Sequence, residues 1–187
     1  VKTRVGYNTV ATGEWVAALL DVSPAVITLH LRTRKEMSKA PARWERVHEA
    51  VELARGTRTL ILGNGDVRDL DHADELVART GVDGVMLGRA VLGNPWLFDR
   101  RRKDTGIPFS ERLAIAREHA LLYEELFSGK KNFAIMRKYL RAYFAGFPGA
   151  KDLRIRLEHI TNAADAGSII DHLERGHVAE EADRREH

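Results

Sequence analysis

Hydrophobic and polar positions follow two alternating patterns over the first hundred residues. Short β-rich runs predict four strands, at 1–5, 25–30, 58–62 and 84–87. Apolar residues recur at helical spacing between these runs, which predicts helices at 13–20, 42–54 and 70–80. Strands that alternate with helices predict βαβ units and a parallel sheet. The strands are apolar along their length, so we expect helices to cover the sheet.

After residue 98 the pattern changes. A polar stretch at 100–108 contains Gly106 and Pro108 and reads as a linker. Two amphipathic helices follow, with apolar stripes that we assign to a core, not to a binding platform: Leu113, Ala116, Ala120, Tyr123 and Phe127, then Phe133, Met136, Leu140, Tyr143 and Phe147. Shorter helices are predicted near 152–159 and 164–175, and Phe147-Pro148-Gly149 is expected to end the second stripe. We therefore predict an α/β part at 1–107, a small helical bundle at 108–176 and a charged, frayed tail at 177–187.

Composition narrows the chemistry that these 187 residues can perform. The chain has no cysteine, which excludes disulfides, cysteine-bound zinc, iron–sulfur clusters and a thiol nucleophile within it. Its apolar runs are too short for a membrane span, and no pair of histidines has metal-site spacing, so we expect neither a membrane nor a metal partner. The start has no signal peptide, lacks Met and reads as the middle of a strand. We therefore expect the chain to begin inside a larger cytoplasmic protein.

Charge is unevenly distributed along the chain. The segment 129–157 holds eight basic residues and one acid, a local charge of +7, which leaves −4 for the remainder of a chain of net charge +3. The eight are Lys130, Lys131, Arg137, Lys138, Arg141, Lys151, Arg154 and Arg156. This basic field predicts a polyanionic partner for one part of the protein. A solvated helical surface explains the same charges and stays open as the alternative.

Glycine turns follow the third and fourth predicted strands. The third runs into Gly63-Asn64-Gly65-Asp66 and the fourth into Gly88-Arg89, so that Asn64 and Gly88 are 24 residues apart, the length of one βα unit. In a (β/α)8 barrel the loops after the last two strands often bind phosphate, because glycine lets backbone N–H groups approach the anion. Arg89 would add a forked cation. The alternative is that these glycines only make tight turns.

Three further polar residues lie on the predicted strands. Lys2 and Arg4 are two residues apart and therefore share a face of the first strand. Two cations within an apolar strand pattern predict a neighbouring anion that compensates their charge. An exposed strand end is the other explanation. His30 stands at the carboxyl end of the second strand, the place where such folds keep their active residues.

These motifs together resemble the tRNA-dihydrouridine synthase family. The matching runs are Lys2-Thr3-Arg4-Val5-Gly6, His30-Leu31-Arg32-Thr33-Arg34, Gly63-Asn64-Gly65-Asp66-Val67, the stretch 81–90 and Gly93-Asn94-Pro95-Trp96-Leu97-Phe98. Downstream, Met136-Arg137-Lys138 and Tyr143-Phe144 resemble the family's helical domain more loosely, and Tyr139 stands where the family pattern has histidine.

The resemblance implies the C-terminal half of a TIM (β/α)8 barrel followed by a small all-α helical bundle domain. The family reduces the C5=C6 bond of a tRNA uridine: NADPH reduces FMN, the flavin gives a hydride and a cysteine gives the proton. Cofactor contacts are implied for Lys2, His30, Asn64, Gly65, Asp66, Gly88 and Arg89. Substrate or tRNA contacts are implied for Arg4, Arg32, Arg34, Lys130, Lys131, Arg137, Lys138 and Arg141.

The resemblance covers only the last four βα units and the helical domain. The first four strands are absent, and with them the cysteine that would donate the proton, so we expect no catalytic residue in this chain and no activity from it alone. Two other functions remain open. One is a different FMN-dependent barrel dehydrogenase without an RNA substrate, and the other is an RNA-binding helical module that performs no chemistry.

Overall fold

A computed structural model describes residues 1–102, 106–146 and 150–183. The chain divides into two compact units, Val1–Val91 and Leu92–His187. Part of the predicted linker (103–105), the Phe147-Pro148-Gly149 stop, the Lys151 side chain and the end of the charged tail lie outside the described residues. The predicted division into a flavin part and an RNA part at 107/108 stays a prediction.

The first unit is an α/β fold around a parallel four-stranded sheet, as the alternating pattern predicts. Its strands are β1 (Lys2–Arg4), β2 (Val26–His30), β3 (Leu60–Asn64) and β4 (Gly84–Met86), in the order β1-β2-β3-β4. Its helices are α1 (Thr12–Leu20), α2 (Val47–Ala54) and α3 (Leu70–Thr80). A short 3₁₀ turn, Trp44–Arg46, leads into α2. Strands in sequence order, each followed by a helix or a turn, are consistent with part of a (β/α)8 barrel.

The two faces of the sheet carry different residues. Ile27, Leu29 and Ile61 are buried among residues of the three helices, including Val16, Val47 and Leu76, which together form the core of the unit. On the opposite face, parallel register aligns the last residues of the strands in one row: Arg4, His30, Asn64 and Met86. Because strand side chains alternate between faces, Arg4, His30 and Asn64 lie on the face away from the helices.

The second unit is helical among its described residues. Its helices are α4 (Phe109–Phe127), α5 (Met136–Tyr143), α6 (Ala150–Leu157) and α7 (Ala163–Asp183), with 3₁₀ turns at Arg89–Val91 before the unit and at Arg100–Arg102 and Phe133–Ile135 within it. Residues from all four helices share one buried core, including Leu113, Leu140, Leu157 and Ile170. The described residues of the predicted apolar stripes belong to this core or pack against it, as expected, and Phe147 lies outside the described residues. The description of this unit as an independent bundle domain stays a prediction.

Candidate functional site

A cavity of about 550 Å³ opens at the carboxyl ends of β2, β3 and β4. It brings together six residues that the sequence assigned to cofactor binding: His30, Asn64, Gly65, Asp66, Gly88 and Arg89. Arg32, Ser38, Val67, Arg68, Met86 and Ala90 also line it. The parallel sheet explains this convergence, since consecutive strands end at the same edge.

The turn after β3 is shaped by Trp44, which no pattern in the sequence singles out. The indole N–H of this buried residue donates to the Gly65 carbonyl at 2.9 Å. A Cβ at Gly63 would lie 2.3 Å from the Trp44 ring, so the strand reaches the turn pressed against the indole. The Asn64 amide donates to the Met86 carbonyl at 2.8 Å and joins the ends of β3 and β4. The path of the turn is therefore set by packing beneath it.

Asp66 connects three loops at the cavity. Its carboxylate accepts from the Arg32 guanidinium at 2.5 Å, from the Ala42 backbone N–H at 2.9 Å and from the Arg89 guanidinium at 2.6 Å. The hydrogen bond from Arg32 is the main reason that the pKa of Asp66 lies below its ordinary value. An ionised carboxylate repels phosphate. The structure therefore supports a role for Asp66 in holding the arginines, and its direct cofactor contact stays a prediction.

Arg32 is an internal residue with 3% exposure. Besides Asp66, its guanidinium donates to the Ala40 carbonyl at 2.5 Å and to His30 Nε2 at 3.2 Å. A guanidinium with these partners is not presented to a large polyanion at the surface. The observed partners of Arg32 are internal, and the RNA contact that the resemblance implies for it stays a prediction.

His30 lies in a cationic environment. Burial is the main cause that lowers its pKa to about 4, and the charges of Arg4, Lys2 and Arg32 act in the same direction. Asp66 is the carboxylate that opposes them. His30 is therefore neutral at pH 7 and contributes a hydrogen-bonding ring, not a charge, to the cavity.

Lys2, Arg4 and Arg34 line a second cavity, of about 720 Å³, beside β1. Arg4 donates to the carbonyls of Thr33 and Met37 at 2.9 and 3.0 Å, so it braces the loop after β2. The structure places Lys2 near enough to His30 to influence its pKa but groups its side chain with this second cavity. The flavin contact of Lys2 stays a prediction.

The loop after β2 is held by Glu36. Its carboxylate accepts from the Thr33 backbone N–H at 2.8 Å, from the Thr33 hydroxyl at 3.0 Å and from both terminal nitrogens of Arg43. These donors, Arg43 first, lower the pKa of Glu36 from 4.5 to about 2. Because this loop carries Arg32 and Ser38, Glu36 orders one wall of the cavity.

Glu36→Gln is expected to destabilise the protein at pH 7 but not at very low pH. A carboxyl whose pKa is lowered by folding stabilises the fold above its unfolded value, and this contribution is lost as pH falls through the folded value. The difference in urea midpoint between wild type and variant is thus expected to shrink between pH 4.5 and about 2. Glu14→Gln, at an exposed position on α1, is the control. A difference that persists unchanged at pH 2 would contradict this role of the Glu36 carboxylate.

The five basic residues of the helical unit for which the resemblance implies tRNA contacts fall into two groups. Arg141 and Arg137 both pair with Glu158, Arg137 at 3.8 Å, and Arg137 also donates to the Ile160 carbonyl at 3.2 Å. The exposed Lys130, Lys131 and Lys138 extend from the surface, with Lys131 Nζ 4.4 Å from the Phe127 ring centroid and Lys138 Nζ 5.5 Å from that of Tyr139. The lysines are therefore the better candidates for contact with a polyanion.

Comparison with known proteins identifies the family. The dihydrouridine synthase family model matches residues 1–181. The chain belongs to the dihydrouridine synthase family. Proteins named "Probable tRNA-dihydrouridine synthase" from Staphylococcus epidermidis and Staphylococcus aureus are 34% identical over 179 and 180 residues, which cover 93% of this chain and 54% of each relative. "Probable tRNA-dihydrouridine synthase 2" from Bacillus subtilis is 32% identical over 182 residues, or 95% of this chain and 55% of the relative.

The chain spans about half the length of the curated relatives it matches, 54% to 55%. The family membership confirms the resemblance on which the site residues were predicted. Within the part of the chain that the structure describes, no helix is long and apolar enough to cross a membrane. The same described residues contain no group of three or more His, Cys, Asp or Glu placed to hold a metal ion.

Proposed function

We propose that this chain is part of a tRNA-dihydrouridine synthase that reduces the C5=C6 bond of uridine in tRNA with FMN and NADPH. One observation carries the proposal: in a member of the dihydrouridine synthase family, two glycine turns, Arg89 and His30 converge on one cavity at the carboxyl ends of the strands. The names of the relatives give tRNA as their substrate. A cytoplasmic location is part of the same proposal.

The cavity suits the phosphate end of FMN. A Cβ at Gly65 would lie 3.2 Å from His30 Cδ2, so a side chain there would occupy the space beside the imidazole. At Gly88 no atom lies within 4 Å of a built Cβ, which leaves the backbone of the second turn open to approach. The Arg89 side chain is 69% exposed and reaches the cavity rim, where its fork suits phosphate oxygens. Asn64, Gly65, Gly88 and Arg89 would hold the phosphate, with Asp66 keeping Arg89 in place.

The remaining residues of the site orient and shield the ligand. FMN, when bound, supplies the hydride that reduces the uracil ring. The neutral His30 ring offers one hydrogen-bond donor without adding a charge that would compete with Arg89. Lys2 and Arg4 share the polar face of β1, where a cation favours negative charge on a neighbouring ring. The proton donor is expected from a cysteine, which this chain does not contain, so we propose that the chain alone does not complete the reaction.

The tRNA surface of the proposal lies on the helical unit. Lys130, Lys131 and Lys138 are exposed, whereas Arg137 and Arg141 share the carboxylate of Glu158. When basic side chains bind RNA phosphates, counterions are released. The slope of log affinity against log salt therefore reflects how many basic side chains contact phosphate. The three exposed lysines therefore contribute more to tRNA affinity than the two arginines that are paired with Glu158.

The triple variant Lys130→Ala, Lys131→Ala, Lys138→Ala is expected to weaken tRNA binding and flatten its salt dependence. Each lost phosphate contact lowers the slope of log affinity against log salt by about 1, so the combined loss should be about 2 to 3. Replacing the same lysines by arginine keeps the charges and should keep the slope. Filter binding of tRNA over a salt series measures it. An unchanged slope in the alanine variant would remove these lysines from the interface.

Retention of FMN tests the proposed function. The purified chain is mixed with FMN, freed of unbound flavin by gel filtration and examined by absorbance between the protein band and the visible. Retained flavin supports the site, and Gly88→Ala, which meets no atom within 4 Å, should then reduce retention without changing the fold. No retention, with tRNA binding that weakens steeply with salt, would favour an RNA-binding module without chemistry. Retained FMN without tRNA affinity would favour a different flavin-dependent barrel enzyme.

A further inference from the structure

The Arg32 guanidinium joins three parts of the site from beneath. Its Nε donates to the Ala40 carbonyl, one terminal nitrogen to His30 Nε2 and the other to the Asp66 carboxylate, at 2.5, 3.2 and 2.5 Å. The side chain is 4% exposed. A buried arginine with all three nitrogens engaged is held rigidly, and its partners are held with it.

The contact with His30 decides where the imidazole carries its proton. A guanidinium has only donors, so His30 Nε2 must accept, and the proton of the neutral ring must sit on Nδ1. Protonation of Nε2 would set two N–H donors against each other. The charged groups that act on the ring are Lys2, Arg4, Arg32 and Asp66, three cations against one carboxylate. Both the geometry and this charge balance keep the ring neutral, in agreement with its lowered pKa.

The contact with Asp66 decides where Arg89 lies. Asp66 Oδ2 is occupied by Arg32 and by the Ala42 backbone N–H, which fixes the plane of the carboxylate. Its other oxygen, Oδ1, then accepts from Arg89 at 2.6 Å. Arg89 is otherwise an exposed, flexible side chain, and holding it in one position costs side-chain entropy. A carboxylate that is itself fixed reduces that loss when an anion binds.

We propose that Arg32 is a positioning residue, which fixes His30 as the Nδ1–H tautomer and, through Asp66, holds Arg89 at the cavity rim. The part that concerns Arg89 rests on the proposed function, since it assumes that the cavity takes a phosphate group. The part that concerns His30 rests on the structure alone. Arg32 touches no reacting group in this role.

Nitrogen NMR of the His30 ring tests the proposal without any ligand. The signal is assigned by its loss in His30→Gln. In wild type we expect the Nδ1–H tautomer, and in Arg32→Met an upward shift of the His30 titration by about one pH unit with loss of the tautomer preference. Arg32→Lys keeps the positive charge but loses the forked guanidinium. It should return the His30 titration close to its wild-type midpoint but recover less of the preference for the Nδ1–H tautomer. Arg55→Met, at an exposed surface pair, is the matched control and should change neither.

Two results would overturn the role assigned to Arg32. One is an Nε2–H tautomer in wild type, which decides the matter even if Arg32→Met fails to fold. The other is a folded Arg32→Met variant whose His30 titration and tautomer match wild type. Either one shows that the guanidinium does not set the state of the imidazole.

FMN titration tests the branch through Asp66. Asp66→Asn leaves the contact between Arg32 and His30 in place, so the His30 tautomer should stay unchanged while FMN affinity falls about tenfold. Simple charge repulsion between Asp66 and the phosphate predicts the opposite change in FMN affinity. On that account, removal of a carboxylate from an anion site should raise the affinity. Tighter FMN binding by Asp66→Asn would therefore overturn this branch. Failure of wild type to bind FMN would overturn the proposed function, and the NMR result would still decide the role of Arg32.

Discussion

Gly65→Ala is expected to abolish FMN retention and to destabilise the sheet-containing unit by about 2 to 4 kcal/mol. Two effects combine at this position. The backbone has φ +128°, in a region that side chains avoid, and the new Cβ would lie 2.7 Å from Ala42 Cβ and 3.2 Å from His30 Cδ2. His30 lines the cavity, and the Ala42 backbone N–H donates to Asp66, which also lines it. Relief of the clash must therefore displace either the imidazole or the loop that positions Asp66.

Gly56→Ala separates the two effects. Gly56 also has positive φ, at +79°, but a Cβ there meets nothing within 4 Å, so only the backbone term of about 1 kcal/mol applies. Urea unfolding followed by tryptophan fluorescence gives the free energy of each variant, and gel filtration gives FMN retention. Equal destabilisation by the two variants, with FMN retained in Gly65→Ala, would show that the turn after β3 does not form the cofactor wall.

Much of the site could be predicted from the sequence because the parallel arrangement of the strands determines which of their ends lie side by side. Once four βα units are recognised, the carboxyl ends of the strands must meet at one edge. The sequence predicted strand ends at residues 5, 30, 62 and 87, and in the structure the strands end at Arg4, His30, Asn64 and Met86, which lie in one row of the register. The glycine turns follow the same logic. Period and spacing placed this edge to within two residues on each strand, because it depends on the backbone alone.

The role of Arg32 could not be predicted in that way. The run His30-Leu31-Arg32-Thr33-Arg34 reads the same whether its arginines face solvent or protein. The partner that fixes Arg32, Asp66, is 34 residues away and belongs to a different loop. The link between them depends on the tertiary placement of two turns. Trp44 was missed for the same reason, since its hydrogen bond reaches Gly65 across 21 residues.

Local charge was a similarly incomplete guide to the helical unit. The basic segment 129–157 ends one residue before Glu158, and this acid pairs with both Arg137 and Arg141. A count of charges along the chain cannot show which cations are already neutralised by contacts between helices. The three lysines keep their place in the proposed interface because they extend from the surface at exposed positions. Pairing in three dimensions therefore changes which basic residues should be mutated first.

Arg89→Met is expected to lower FMN affinity by about 10- to 100-fold without a comparable loss for riboflavin. The two flavins share the isoalloxazine and ribityl parts, and only FMN carries the phosphate. A guanidinium that contacts the phosphate must therefore distinguish between them. Stability should change by less than about 0.5 kcal/mol, because the Arg89 side chain is 69% exposed and its pair with Asp66 lies at the surface.

Arg58→Met provides the matched loss of charge at the opposite, amino-terminal edge of the sheet, where β3 begins, and should leave both affinities unchanged. Fluorescence titration with each flavin measures the two dissociation constants. If Arg89→Met weakened FMN and riboflavin equally, Arg89 would act through the shape of the cavity and not through the phosphate. If neither affinity changed, the phosphate would lie away from the turn after β4. Only a loss confined to FMN places the anionic group beside Arg89, as the convergence of the two glycine turns predicts.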